Sequence, residues 1–137
     1  MANPLQMFDI TADQIDQVVG VFYARVRQHP ELGPVFAAHI APEDWPAHEE
    51  KITRFWRNAI LKERCYDGQP MRVHLERPKV QTKHFTVWLE LFDQTLTELL
   101  PAESALAFSN LAHRIGDGFR FGIEARDRRA DQPPSLL

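Results

Sequence analysis

The chain has a single cysteine, Cys65, among 137 residues. That excludes an internal disulfide, and a lone thiol suits a reducing compartment. No basic patch stands out except Arg126, Arg128 and Arg129 near the end, and a formal charge of −3 with a pI near 6.0 argues against a nucleic-acid surface. The opening Met1-Ala2-Asn3-Pro4-Leu5-Gln6 lacks the basic and apolar regions of a secretory signal, and no apolar run approaches the length of a membrane span. These absences lead us to expect a cytoplasmic, monomeric protein that uses neither nucleic acid nor membrane. Repeats and low-complexity segments are missing too, so one domain over residues 1–137 is expected, with frayed tails at 1–10 and 127–137. No segment alternates convincingly with period two, which makes the class all-α.

Four amphipathic helices are legible. Thr11 followed by Gln14 reads as a capping box, and Ile15, Val18, Val19, Phe22, Tyr23 and Val26 then recur at helical spacing. Tyr23 lies on the apolar face of this first helix, so its hydroxyl enters the interior and needs a partner there, whether a backbone carbonyl or a functional group. His29-Pro30-Glu31-Leu32-Gly33-Pro34 ends the helix and places Phe36 just beyond a turn. Asp44 before Trp45-Pro46 marks a second start, with proline in the tolerated first turn. Trp45, His48, Ile52, Phe55, Trp56, Ala59 and Ile60 form its broad face, on which His48 is the one polar member near the beginning. Lys62-Glu63-Arg64 closes it. Thr82 is a candidate cap for the third helix, with Phe85, Trp88, Leu89, Phe92, Leu96 and Leu99 as its stripe. Pro101 separates this from a last helix through Phe108, Leu111, Ala112, Ile115, Phe119 and Ile123, in which Gly116, Gly118 and Gly122 permit close backbone approach.

Between the second and third helices, Tyr66-Asp67-Gly68-Gln69-Pro70-Met71-Arg72-Val73-His74-Leu75-Glu76-Arg77-Pro78 isolates one histidine on a short helical segment fenced by turn residues. About two turns cannot hold themselves in water. A metal bond from the His74 imidazole would secure them; the plainer alternative is a surface histidine on a connector. Helices arranged around an inserted, large, apolar object that needs one imidazole suit haem, whose faces Phe36, Ile52, Phe55 and Trp56 would cover. Zinc would require local spacing such as His-x-x-x-His, which His29, His39, His48, His74, His84 and His113 do not provide. A diiron bundle would require paired Glu-x-x-His motifs, which the chain does not supply.

The chain resembles the third group of truncated haemoglobins. The matching pieces are Phe22-Tyr23, Leu32-Gly33-Pro34-Val35-Phe36, Trp45-x-x-His48, Phe55-Trp56, Tyr66-x-Gly68-x-Pro70-x-x-x-His74 and His84-Phe85-x-x-Trp88-Leu89-x-Leu91-Phe92, in order over most of residues 15–95. The resemblance implies a shortened globin, helices packed two over two, with haem b between the helix carrying His48 and the segment carrying His74. It implies that His74 is the proximal iron ligand, that Tyr23, His48 and Trp88 are the distal polar set, and that Phe36 packs on the haem. His84, also followed by aromatics, falls at the start of the next helix near the haem edge, with Trp88 one turn further on.

For a small ligand carrying partial negative charge, Tyr23 O–H and Trp88 N–H are stabilising donors, while His48 can donate, swing as a gate or bind iron itself. A crowded, hydrogen-bonding pocket favours slow O₂ release or O–O activation over transport. Nitric oxide dioxygenation or a peroxidase-like reaction is one reading; a non-enzymatic binder or sensor of O₂, NO, CO or sulfide is another; a helical interaction module without cofactor is the plainest. Turnover would require a separate reductase, since the chain has no flavin or nicotinamide domain.

Overall fold

The computed structural model describes residues 5–63 and 82–131, with side chains over 5–63 and 83–125. Helix α1 (Ala12–Gln28) starts at the expected capping box: Thr11 Oγ1 accepts from Gln14 N–H at 3.1 Å, and the Gln14 side chain accepts from Thr11 N–H at 2.9 Å. Residues expected only to interrupt the chain form a short helix, α2 (Leu32–Ala37). Pro34 is accommodated because it stands in the first turn, where backbone N–H groups have no intrahelical acceptor anyway. His29 supplies the missing acceptor, its Nδ1 receiving Glu31 N–H at 3.1 Å and Leu32 N–H at 3.2 Å.

A 3-10 turn, Pro42–Asp44, runs directly into α3 (Trp45–Leu61). The expected Asp44 cap is therefore corrected: its backbone is already helical, and its carboxylate makes no capping bond. Lys62 ends α3 in the left-handed region at φ 61°, and Arg57 pairs with Glu63 at 2.7 Å across that end. Helix α4 (Thr82–Leu99) begins with Thr82, whose side chain lies outside the described residues, and Pro101 separates it from α5 (Ala102–Asp131) as expected. Every regular element among the described residues is helical.

Two tails expected to fray are partly ordered. Met7 N–H donates to Ile60 O at 3.0 Å, Ser104 Oγ donates to Asp9 O at 2.6 Å, and Phe8 packs its ring against Phe108 at 5.8 Å. Ile10 is buried by this docking. At the other end α5 continues through residues 127–131. Apolar residues before the first cap thus find a groove between α3 and α5.

The four long helices pack as two pairs, α1 with α3 and α4 with α5, and α1 also crosses onto α4. Phe92 of α4 is the hub between the pairs. Its ring meets Phe22 at 4.9 Å, Trp88 at 4.8 Å, Phe108 at 5.2 Å and Trp56 at 5.7 Å. Burying an aromatic side chain of this size contributes about 1.5–3 kcal/mol, so this cluster outweighs any surface ion pair. Polar groups fix the crossing. Arg25 Nη1 donates to the buried Thr95 Oγ1 at 3.1 Å and also pairs with Glu98, while Thr95 donates onward to Leu91 O at 2.9 Å. Asp93 accepts from Ser109 at 2.6 Å and meets His113 Nε2 at 2.7 Å, tying α4 to α5. Gly116 lets α5 approach α4, since a Cβ there would lie 3.1 Å from Leu89 Cδ1.

Gly33 decides where α2 can sit. A Cβ on it would stand 2.9 Å from the Arg27 carbonyl oxygen, so α2 presses against the end of α1 only because residue 33 has no side chain. Backbone cannot yield as a flexible side chain can. Gly33→Ala is expected to cost about 1–3 kcal/mol of stability by displacing α2. Gly20, with nothing within 4 Å of an added Cβ, is the control: Gly20→Ala is expected to stabilise α1 by about 1 kcal/mol. Urea unfolding of both variants checks the opposite signs, and two changes of the same sign would reject this account of Gly33.

Candidate functional site

Tyr23 projects from the inward face of α1 and is 4% exposed. Phe36 reaches it from α2, which the His29 cap and the Gly33 contact hold against α1. Trp45 and His48 reach it from α3, where a spacing of three residues puts both rings on one side of the first turns. All six pairings among these four rings are close. Tyr23 lies 6.0 Å from Phe36, 5.9 Å from Trp45 and 5.5 Å from His48; Phe36 lies 5.9 Å from Trp45 and 6.4 Å from His48; Trp45 lies 5.4 Å from His48. The imidazole stands nearly perpendicular to the Tyr23 and Trp45 rings, at 89° and 86°. It is held in a cage of aromatic surfaces, with Nε2 sealed from solvent.

The fifth member comes from α4. The Trp88 ring packs edge-on against Phe22 at 4.8 Å and stacks on Phe92, and its indole N–H acts on the Tyr23 phenol as a donor, opposing the rise that burial imposes. Indole is a donor only, so the direction of this bond is fixed. The Tyr23 proton is consequently left to be donated onward. Burial raises the Tyr23 phenol well above its ordinary range, the Trp88 bond opposes that rise, and the Glu49 carboxylate adds to it. Glu49, next after His48, is itself raised by burial and drawn back down by Arg27. The Arg27 guanidinium lies over the Trp45 ring, 5.0 Å from its centroid.

Of the residues singled out in the sequence, the structure brings Tyr23, Phe36, His48 and Trp88 into one cluster. Ile52 and Phe55 continue the same side of α3 and are only half-buried, as are Val87 and Leu91 on α4. Trp56 goes elsewhere. It is 3% exposed and stacked on Phe92 at 16°, with Phe108 at 5.0 Å, so its ring belongs to the core behind the cage. His84 is half-buried in the first turn of α4; burial lowers its imidazole below the ordinary value, Lys83 adds to that and Glu31 opposes it. His74, with Tyr66, Gly68 and Pro70, lies outside the described residues. Trp45 stands in the sequence as one member of a helical stripe, and its spacing from His48 is the signal that ties it to the site. Arg27 and Glu49 carry no such signal, since charged residues at helix ends are common. Among the described residues no group of three His, Cys, Asp or Glu side chains is placed to hold a metal ion, and no helix is long and apolar enough to cross a membrane.

Residues 8–115 match the bacterial-like globin family. The chain is 33% identical over 113 residues to the group 3 truncated hemoglobin of Campylobacter jejuni, covering 81% of this chain and 89% of that protein. The crystal structure of a group III truncated hemoglobin from Campylobacter jejuni superposes with a TM-score of 0.80 at 30% identity, over 90% of this chain and 95% of that one.

The buried phenol gives a direct prediction. Above pH 10, near the usual phenol value, the unfolded chain releases the Tyr23 proton while the folded chain keeps it, so stability falls as pH rises through that range. In the folded protein, ultraviolet titration of phenolate is expected to be the same for wild type and Tyr23→Phe up to the alkaline unfolding transition. A phenolate signal near pH 10 that disappears in Tyr23→Phe would contradict the sealed cage.

Proposed function

The chain belongs to the bacterial-like globins and, within them, to the group 3 truncated haemoglobins, and from that premise we propose that it holds haem b through His74 and uses Tyr23, His48 and Trp88 for redox chemistry on O₂ and NO. One observation carries the reading. The four-ring cage and its Trp88-polarised hydroxyl stand beside apolar side chains that the fold leaves half-buried, namely Ile52 and Phe55 on one helix and Val87 and Leu91 on another. A flat apolar group with one polar centre fits such surroundings. Haem supplies an iron that takes one imidazole and leaves a position for a small ligand.

The protein's own groups do the rest. Tyr23, having accepted the Trp88 N–H, offers its proton to whichever ligand atom gathers negative charge, and a donor that is itself polarised is a stronger donor. Phe36 and Trp45 exclude water, so that donor does not compete with solvent. His48, hemmed in by three rings, admits only small ligands. Ile52, Phe55, Val87 and Leu91 would give the cofactor apolar contacts, and His84 would stand near it. One NO, one O₂ and one electron give one nitrate, so each turnover draws an electron from a separate reductase.

Titration with haemin tests the holding residue. Wild type is expected to develop a sharp Soret band saturating at one equivalent, His84→Ala to do the same, and His74→Ala to bind loosely. Loss of binding in His84→Ala but not in His74→Ala would overturn the assignment. Loaded wild type given O₂ and a reductase is expected to consume NO catalytically; consumption that stops after one equivalent would leave a binder or sensor instead of an enzyme.

A further inference from the structure

We propose that Arg27 is a positioning residue for the ligand pocket: its guanidinium clasps the Trp45 ring and holds the ring cage closed. This deepens the haem reading and rests on it only where ligand entry is concerned. Arg27 follows Tyr23 by four residues on α1, so the helix carries Tyr23 inward and sets Arg27 one turn further along, at the rim. Trp45 is the first residue of α3, where a helix is least secured by its own hydrogen bonds. Yet it is only 4% exposed, and it touches every other ring of the cage: it stacks on Phe36 at 28° and meets Tyr23 and His48 edge-on or tilted.

A ring so placed ties the cage together. If Trp45 leaves, His48 loses a wall, and Phe36 loses its stacking partner. What holds Trp45 from outside is Arg27, with Cζ 5.0 Å from the ring centroid. A guanidinium on an aromatic face attracts through the ring quadrupole and lies flat against it, which an ammonium does less well. The same charge also acts on the Glu49 carboxylate, the next residue after His48, and draws it down. The clasp therefore joins the end of α1 to the first turn of α3, bracketing the segment that contains α2.

Hydroxyl-radical footprinting read by mass spectrometry tests the clasp in the protein as purified, with haem or without. Arg27→Gln is expected to raise Trp45 oxidation about two- to fivefold while Trp56, deep in the core, stays unchanged. Arg27→Lys should fall between wild type and Arg27→Gln. In the haem-loaded protein, CO association after flash photolysis should accelerate by a similar factor in Arg27→Gln, and a Trp45→Leu background should abolish the effect. Urea midpoints are expected to remain close to wild type, since Arg27 is exposed. Equal Trp45 oxidation in wild type and Arg27→Gln would overturn the proposal, as would an undiminished Arg27→Gln effect on CO entry in Trp45→Leu. Altered Trp45 oxidation in a chain that takes up no haem would uphold the clasp and reject the haem reading.

Discussion

A phenol buried inside an aromatic cage must find a hydrogen-bond partner, because an unsatisfied buried hydroxyl costs about 1–3 kcal/mol. The Trp88 indole N–H is the donor that acts on the Tyr23 hydroxyl, against the rise that burial imposes on the phenol. The bond crosses from α1 to α4. It falls at the depth where Phe22, Trp88 and Phe92 interdigitate, and because indole only donates, the Tyr23 proton is left to give. Trp88 has committed its only donor; Tyr23 has not. In the proposed site Trp88 therefore acts through Tyr23, and Tyr23 is the donor that would meet a ligand.

The surrounding architecture keeps that donor dry. Residues 29–44 do this with two short helical pieces, α2 and the 3-10 turn. His29 caps α2, Gly33 lets it press onto the Arg27 carbonyl, and Phe36 is delivered to the cage as a result. The 3-10 turn at Pro42–Asp44 then leads directly into α3, whose first turns bring Trp45 and His48 to the same cage. None of these contacts is strong singly. They are mutually dependent, since each ring of the cage touches the other three, and shape in such a cluster is set by packing more than by any one bond.

How much of this the sequence announced differs from element to element. The Thr11 and Gln14 capping box and the stripes of α1 and α4 were legible because they follow local rules of spacing and capping. Tyr23 was legible as inward-facing for the same reason. The orientation of Trp56 was not: a broad apolar face on α3 has room for rings pointing to the pocket and to the core, and only Phe92 and Phe108, distant in sequence, decide which. Helix α2 was hidden by prolines and glycine that ordinarily break helices, and its stability comes from the His29 imidazole and from contact with α1. The docking of residues 5–10 depends on Ile60 and Ser104, and the Arg27 clasp on Trp45, both long-range partners that periodicity does not encode. The Trp88 and Tyr23 pairing falls between these cases, since Tyr23 demanded a partner and Trp88 carried a donor, but neither named the other.

Action of Trp88 through Tyr23 is tested most directly by O₂ and CO dissociation from haem-loaded wild type, Tyr23→Phe and Trp88→Phe. A hydrogen bond to a group carrying charge contributes about 1.5–3 kcal/mol, so Tyr23→Phe is expected to change O₂ dissociation by about ten- to a hundredfold and CO dissociation far less. Trp88→Phe is expected to shift O₂ dissociation in the same direction by a smaller factor, and to add nothing once Tyr23 is gone. Unchanged O₂ dissociation in Tyr23→Phe, or effects of the two substitutions that simply add, would contradict a relay in which Trp88 acts through Tyr23.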